Sequence, residues 1–208
     1  MKPKGIKLQP QGYNYFELLC CGPADEWLAP TLSKLACCSF ISDQREKMIR
    51  QATTADAAAI ATIYNHYVLH SSVTFEEEAV STKQMAERIE QVKADGLPWL
   101  VLDQNGELLG YAYATKWRVR SAYRFSVEST VYVKDEVTAK GLGSQLYQQL
   151  LADLKALGLH VVIGGITLPN DKSVALHEKF GFEKCGQFQQ VGFKFGQWRD
   201  VGYWQKLL

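Results

Sequence analysis

Glu128-Ser-Thr130-Val131-Tyr132-Val133, then Thr138-Ala-Lys140-Gly141-Leu142-Gly143-Ser144, then Asn170-Asp-Lys-Ser173-Val-Ala-Leu-His177-Glu-Lys-Phe-Gly181-Phe182 are three segments of one stretch, residues 128–182. In order they predict a strand, a glycine-rich turn into a helix, a second strand and a short second helix. Leu142, Leu146, Leu150 and Leu154, with Leu151 and Leu157 beside them, give the first helix a broad apolar face, and Gly158 is placed to end it. The run from His160 to Leu168 is nearly all apolar, as in a strand buried on both faces. Such a unit sets an open helix N-terminus beside a strand that carries an acid. Free N–H groups and the helix dipole favour an anion there. The unit therefore suits a phosphate-bearing carrier whose attached group is to be moved.

The flanking sequence fills in a sheet around this unit. Met48-Ile-Arg-Gln reads as a strand, and Ala59, Ile60, Ile63, Tyr64 and Tyr67 recur at helical spacing between Asp56 and about His70. Ser81 with Gln84 is a capping-box pair that opens a second helix, running to about Ala94 and ending at Gly96. Ser71 to Glu76 joins the two helices. Trp99 to Asp103 and Leu108 to Ala114 form strands about a turn in which Asn105-Gly106 supplies positive φ. Trp117 to Phe125 is aromatic and basic, a strand end and loop. Ser126 to Lys134 is the next strand, and Glu183–Val191 and Lys194–Gln205 are two more. The sum is an α/β domain over residues 48–208, a mixed central β-sheet of six or seven strands flanked by four helices. Residues 1–47 have a different texture, with Gln9-Pro-Gln-Gly12, Gly22-Pro23 and Ala29-Pro30 breaking any regular element, and read as an N-terminal extension.

Composition narrows the function classes. A net charge of +1 over 208 residues offers no electrostatic case for nucleic acid or an anionic membrane. No apolar run approaches the ~18 residues a bilayer-spanning helix needs, and the N-terminus lacks a signal-peptide layout. These features point to a cytoplasmic protein. Four of the five cysteines form the adjacent pairs Cys20-Cys21 and Cys37-Cys38, the fifth being Cys185. Adjacent cysteines lack the spacer of zinc knuckles and have no nearby histidine, so neither a metal site nor a disulfide framework is expected.

Gly141-Leu-Gly143 alone decides little. No Gly-Lys-Ser/Thr follows it as in a P-loop, and Leu146 stands where a dinucleotide fingerprint has its third glycine. The second half of the stretch decides more. Asn170-x-x-Ser173-x-x-x-His177-x-x-x-Gly181-Phe182 resembles the second signature of the GCN5-related N-acetyltransferases (GNAT), and Gly141 and Gly143 match the first, with Thr138 at its Gln/Arg position. The chain is most similar to the phosphinothricin (methionine sulfoximine) N-acetyltransferase branch. The resemblance rests on Asn65-His-Tyr67, Trp117-Arg-Val-Arg120-x-x-Tyr123, Glu128 to Val133, Gly141-Leu-Gly-Ser144, Leu168-Pro-Asn170-Asp, His177-Glu178 and Gly192-Phe-Lys-x-Gly-x-Trp198-x-Asp200-Val. It spans Met48 to the C-terminus and includes nothing of the first 47 residues.

The resemblance implies a GNAT fold, acetyl-CoA as co-substrate with no metal, and direct transfer of acetyl to a small amino-acid-like amine within a ternary complex. It implies a homodimer. Glu128 and His177 are then the catalytic candidates. A neutral attacking amine needs a proton acceptor, and a histidine, ordinarily near pKa 6.5, can take or give a proton. His177 sits where many relatives place a tyrosine. For the carrier the resemblance implies Val131, Tyr132, Val133, Thr138, Lys140, Gly141, Leu142, Gly143, Ser144, Asn170 and Ser173, with a backbone N–H of the Tyr132–Val133 segment facing the oxyanion. For the acceptor it implies Phe75, Arg118, Arg120, Tyr123, Thr130 and Tyr132. Arg118 and Arg120, two apart, share a face if the strand persists, and guanidiniums suit a carboxylate or phosphinate. Two alternatives stay open: a GNAT enzyme acting on another amine such as a polyamine or a protein N-terminus, and a non-catalytic acyl-CoA-binding module.

Overall fold

The structure is a computed structural model that describes residues 47–137 and 141–208. The expected extension, apart from Lys47, lies outside these residues, as do Thr138 and Lys140. Seven strands form one sheet in the order β1-β2-β3-β4-β5-β7-β6: β1 (Lys47–Gln51), β2 (Trp99–Gln104), β3 (Glu107–Lys116), β4 (Ser126–Val133), β5 (Val161–Leu168), β6 (Glu183–Lys194) and β7 (Gln197–Leu207). Four helices interleave with them: α1 (Ala57–His70), α2 (Thr82–Ala94), α3 (Leu142–Ala156) and α4 (Asp171–Lys179). Every neighbouring pair of strands is antiparallel except β4 with β5.

Local chemistry accounts for most boundaries. The Ser81 hydroxyl accepts the Gln84 N–H, and the Gln84 side chain accepts the Ser81 N–H in return, starting α2. Asn105 and Gly106 take positive φ at the β2–β3 turn. The β6–β7 turn was not expected where it falls. It sits at Phe195-Gly196, both at positive φ, so Lys194 ends β6 instead of opening β7. Phenylalanine rarely adopts that conformation and gives no sequence cue for it.

Alternation along β4 assigns the two faces of the sheet. Tyr132 packs on Tyr64 and Tyr67 of α1, while the Ser129 hydroxyl hydrogen bonds the Tyr147 hydroxyl of α3 at 2.7 Å. Hence α1 lies on one face and α3 on the other, with the core split between them. On the α1 face Trp99, Tyr111 and Tyr113 stack, the Trp99–Tyr113 centroids 4.1 Å apart. On the other, Leu146, Leu150 and Leu154 of α3 are fully buried, as their spacing predicts.

One polar cluster joins β1 to the start of α1. Arg50 donates to both carboxylate oxygens of Asp56 at 2.8 Å and to Asp103 at 3.3 Å, and Thr53 gives Asp56 its N–H at 2.8 Å and its hydroxyl at 3.0 Å. The Arg50 hydrogen bonds hold the Asp56 pKa down at about 2. A depressed carboxylate pKa stabilises the fold above the unfolded value near 4, and that contribution is lost as pH falls through the folded value. Asp56→Asn should therefore cost about 2 kcal/mol at neutral pH. Denaturant melts of the two proteins, well separated at pH 7, should converge as pH falls from about 4 towards about 2.

Candidate active site

The sheet opens where its parallel strands meet. Within the β4–β5 pair only Ser126↔Val161, Val127↔Val162 and Glu128↔Ile163 are in register. Beyond them β4 stays with β3 as far as Val133, while β5 stays with β7 as far as Leu168. The strands part into a cleft of about 380 Å³, bordered by Val131, Val133, Gly143, Asn170, Ser173 and Leu176 among others. Ser126 accepts from Trp117 and Lys134 donates to Leu109, so even-numbered residues of β4 turn their backbone groups to β3. Odd-numbered ones face the other way. The Val133 carbonyl accepts the Tyr67 hydroxyl at 2.6 Å from that side, and the N–H groups of Val131 and Val133 point into the opening.

Two helix N-termini close on this cleft. Gly141 begins α3 at φ 75, a left-handed conformation that a residue with a Cβ adopts only under strain. Gly143 then lies against Val133 and Leu176. Ser144 accepts from Lys179 at 3.1 Å. At α4, the Asn170 side chain accepts the Ser173 N–H at 3.1 Å, a helix cap beside the cleft. Leu142, expected with the carrier residues, is 2% exposed and belongs to the core.

Glu128 and His177, the two catalytic candidates, lie on opposite faces of β5. Glu128 shares its face with Tyr132 and reaches over Gly165: a Cβ built there would stand 2.9 Å from the Glu128 Oε1. Burial raises the carboxyl pKa, and the Arg118 guanidinium partly offsets it. Tyr203 lies across Gly165, edge-on to Trp117 at 5.7 Å and to Phe188 at 5.6 Å. His177 approaches from α4. A Cβ on Gly164 would stand 2.4 Å from its Nε2, and the ring, 4% exposed, is enclosed by Tyr147 and Phe182. Its Nδ1 lies 2.7 Å from the Ser173 carbonyl, which can only accept, so Nδ1 carries the proton and Nε2 is bare. Burial lowers the pKa, which keeps the ring neutral.

The remaining expected residues are dispersed. Thr130 and Tyr132 border the cleft, the Tyr132 ring also serving the aromatic packing on α1. Phe75, 37% exposed, lies on Gly192 of β6, where a Cβ would stand 2.2 Å from its Cζ. The strand does not persist through the two arginines. β3 ends at Lys116, and Arg120 caps a short 3-10 turn, Ser121–Tyr123, so alternation no longer gives them a common face. Arg118 stacks on Trp117 at 4.7 Å; Arg120 and Tyr123 are exposed. Sequence reasoning missed Gly164, Gly165 and Tyr203, and gave Gly192, part of the resemblance, no role of its own. The glycine pair had a signal, since glycine inside an apolar strand marks a close approach; Tyr203 had none.

Comparison with known proteins agrees with this architecture. Residues 49–202 match the family model for the acetyltransferase (GNAT) domain. The phosphinothricin N-acetyltransferase of Streptomyces viridochromogenes is 43% identical over 164 residues, 79% of this chain and 89% of that one. An L-methionine sulfoximine/L-methionine sulfone acetyltransferase from Salmonella typhimurium is 40% identical over 160 residues, 77% of this chain and 94% of that one. Among solved structures, a GNAT superfamily phosphinothricin acetyltransferase from Sinorhizobium meliloti, in complex with acetyl-CoA, has a TM-score of 0.75 at 38% identity and covers 78% of this chain and 88% of its own. Among the described residues no group of His, Cys, Asp or Glu could hold a metal ion, and no helix is long and apolar enough to cross a membrane. A split parallel pair flanked by two helix starts, matched at this identity almost from the first strand to the last, makes the chain a member of the GNAT acetyltransferase family, enzymes that take their acetyl group from acetyl-CoA.

Proposed function

We propose that the protein acetylates the amine of a small amino-acid-like acceptor of the phosphinothricin, methionine sulfoximine or methionine sulfone type, by direct transfer from acetyl-CoA in a ternary complex. One observation carries this reading. Glu128 stands where β4 and β5 part, on the face that Arg118, Trp117, Tyr203 and Phe75 share. An acid, a guanidinium and aromatic walls fit an amine tethered to a carboxylate, and the names of the relatives point to the same acceptor class. A polyamine would meet a cation at Arg118. The apolar side chains exposed on β6, β7 and their turn, among them Val191, Phe193, Phe195 and Trp198, fit the contact surface of a homodimer.

In this mechanism the carrier lies in the cleft with its pyrophosphate at the first turn of α3. The N–H groups of Val131 and Val133 face the thioester carbonyl. Glu128 accepts the ammonium proton, directly or through water, and the amine attacks the carbonyl carbon. A C–N bond forms, the oxyanion is held by backbone N–H, the carbonyl re-forms as the C–S bond breaks to release the thiolate, and the attacking nitrogen gives its second proton to solvent. A thiol pKa of roughly 8.5 makes that leaving group stable enough to depart without a strong acid. His177, neutral and fastened to Ser173, does not carry a proton to it. We assign His177 a positioning part: its ring supports β5 at Gly164, next to the glycine under Glu128.

Glu128→Gln should lower kcat by about 10²- to 10³-fold near neutral pH and leave acetyl-CoA affinity unchanged. Its deficit should narrow as pH rises and solvent deprotonates the amine. A variant that keeps the wild-type acid limb in its pH–rate profile rules Glu128 out. His177→Gln should change the height of that profile and not its shape.

The glycine pair separates the two roles. In Gly165→Ala the new methyl meets the movable end of Glu128, so kcat should fall by about tenfold or more with a thermal midpoint close to wild type. In Gly164→Ala it meets an enclosed ring and should cost about 1–3 kcal/mol of stability. Thermal melts beside steady-state rates check both.

A further inference from the structure

Lys194 takes no part in the chemistry above, yet it is among the most completely enclosed side chains of the protein, 1% exposed. It ends β6, and its ammonium donates to the Val68 carbonyl at 2.7 Å and to the Thr74 carbonyl at 2.8 Å. Val68 lies in the last turn of α1, whose carbonyls have no helical partner and favour a cation. Thr74 lies in the segment joining α1 to α2, residues 71–81. The same segment is held from α1 by the Tyr64 hydroxyl on the Thr74 hydroxyl, 2.8 Å, and from α2 by Arg88 on Glu76, 2.9 Å. Lys194 adds an anchor from the other end of the sheet. Burying an ammonium is costly unless its donors are used, so the lysine is not a general packing choice.

What the anchor holds is the residue after Thr74. Phe75 lies on Gly192, two positions before Lys194 on the same strand, and the contact leaves no room for a Cβ. Gly192 is paired with Arg199 of β7, and four residues along β7 from Arg199 is Tyr203, beside Glu128. The even separation puts Phe75, Gly192 and Tyr203 on one face of the sheet. Lysine and glycine thus act on one wall, the first fixing its backbone and the second receiving its ring.

We propose that Lys194 is a positioning residue for the acceptor: by locking the α1–α2 segment to β6 it fixes Phe75 as a rigid wall of the amine pocket, and acceptor selectivity depends on that lock. The proposal rests on the acceptor reading given above. A free segment would let Phe75 swing, and an acceptor bound against a moving wall loses the orientation that a fixed one supplies. The carrier cleft is bordered mainly by β4, β5, α3 and α4; Val73 of the locked segment reaches its edge, but the two helix N-termini that receive the carrier lie outside the lock.

The test uses the full-length enzyme with acetyl-CoA and either methionine sulfoximine or methionine sulfone, reading thiol release, together with hydrogen exchange of the amides of residues 71–76. In Lys194→Met the acceptor KM should rise about tenfold while the acetyl-CoA KM stays within about twofold, the two sulfur acceptors should be less well discriminated, and the 71–76 amides should exchange faster. Gly192→Ala, which keeps the lysine and displaces the ring, should give the same split in KM without faster exchange. A folded Lys194→Met protein with wild-type acceptor KM and wild-type exchange overturns the proposal, as does an equal rise in both KM values. If Lys194→Met does not fold, Lys194→Gln decides by the same readouts. Failure of the wild-type enzyme to acetylate either acceptor would overturn the acceptor assignment instead, with the exchange data still deciding whether the lock exists.

Discussion

Everything functional in this protein depends on a hydrogen-bonding ladder that stops. Strands β4 and β5 run parallel and pair for three residues, ending at Glu128↔Ile163, and then each keeps only its outer neighbour. Unpaired backbone groups inside a sheet are unfavourable unless something else satisfies them. The Tyr67 hydroxyl takes one, the Val133 carbonyl. On the proposed reading, the N–H groups facing the same opening are donors preorganised for the thioester carbonyl, with no rearrangement needed at the moment of reaction. The sheet tolerates the split because β5 is fully paired with β7 over its whole length and because α3 and α4 cover the opening from one side.

The adjacent glycines of β5 make the second constraint. At Gly164 and Gly165 the strand is thin enough for a side chain to lie against it from each face, His177 from α4 and Glu128 from β4. Consecutive strand residues point to opposite faces, so these two side chains cannot meet on one face. This is the reason the two proton-handling candidates are given different parts. On the proposed reading, a neutral, bare-Nε2 imidazole held through Nδ1 serves as a prop, and a partly desolvated carboxylate beside a guanidinium serves as the base.

How much of this was legible in the sequence follows from how local each cause is. The capping box at Ser81, the Asn105-Gly106 turn and the leucine face of α3 depend on residues a few positions apart, and each was readable. So were the strands that frame the site and the motif that leads to acetyl-CoA. The β6–β7 turn was not, because Phe195 occupies a conformation its side chain does not advertise. Arg118 and Arg120 lose a common strand face because β3 ends at Lys116. The meeting of Tyr203 and Glu128 over Gly165, and the hydrogen bond of Lys194 to Val68, span long stretches of chain and depend on strand register. Only pairing in three dimensions reveals them.

Face assignment has a further consequence for how two substrates meet. On the proposed reading the carrier is held mainly from the α3 and α4 side, by two helix N-termini, while the acceptor lies on the α1 side among residues of the α1–α2 segment, the loop after β3 and β7. A closed sheet would keep them apart. The gap between β4 and β5 is the one passage the described residues show between the faces, and it opens next to Glu128. The thioester end of the carrier must enter there, so the base lies where the two substrates are forced to converge. On the same reading the acceptor side can vary with little effect on the phosphate end of the carrier, because the α1–α2 segment touches the cleft only through Val73 and the β6–β7 hairpin does not border it, while the helix N-termini belong to α3 and α4.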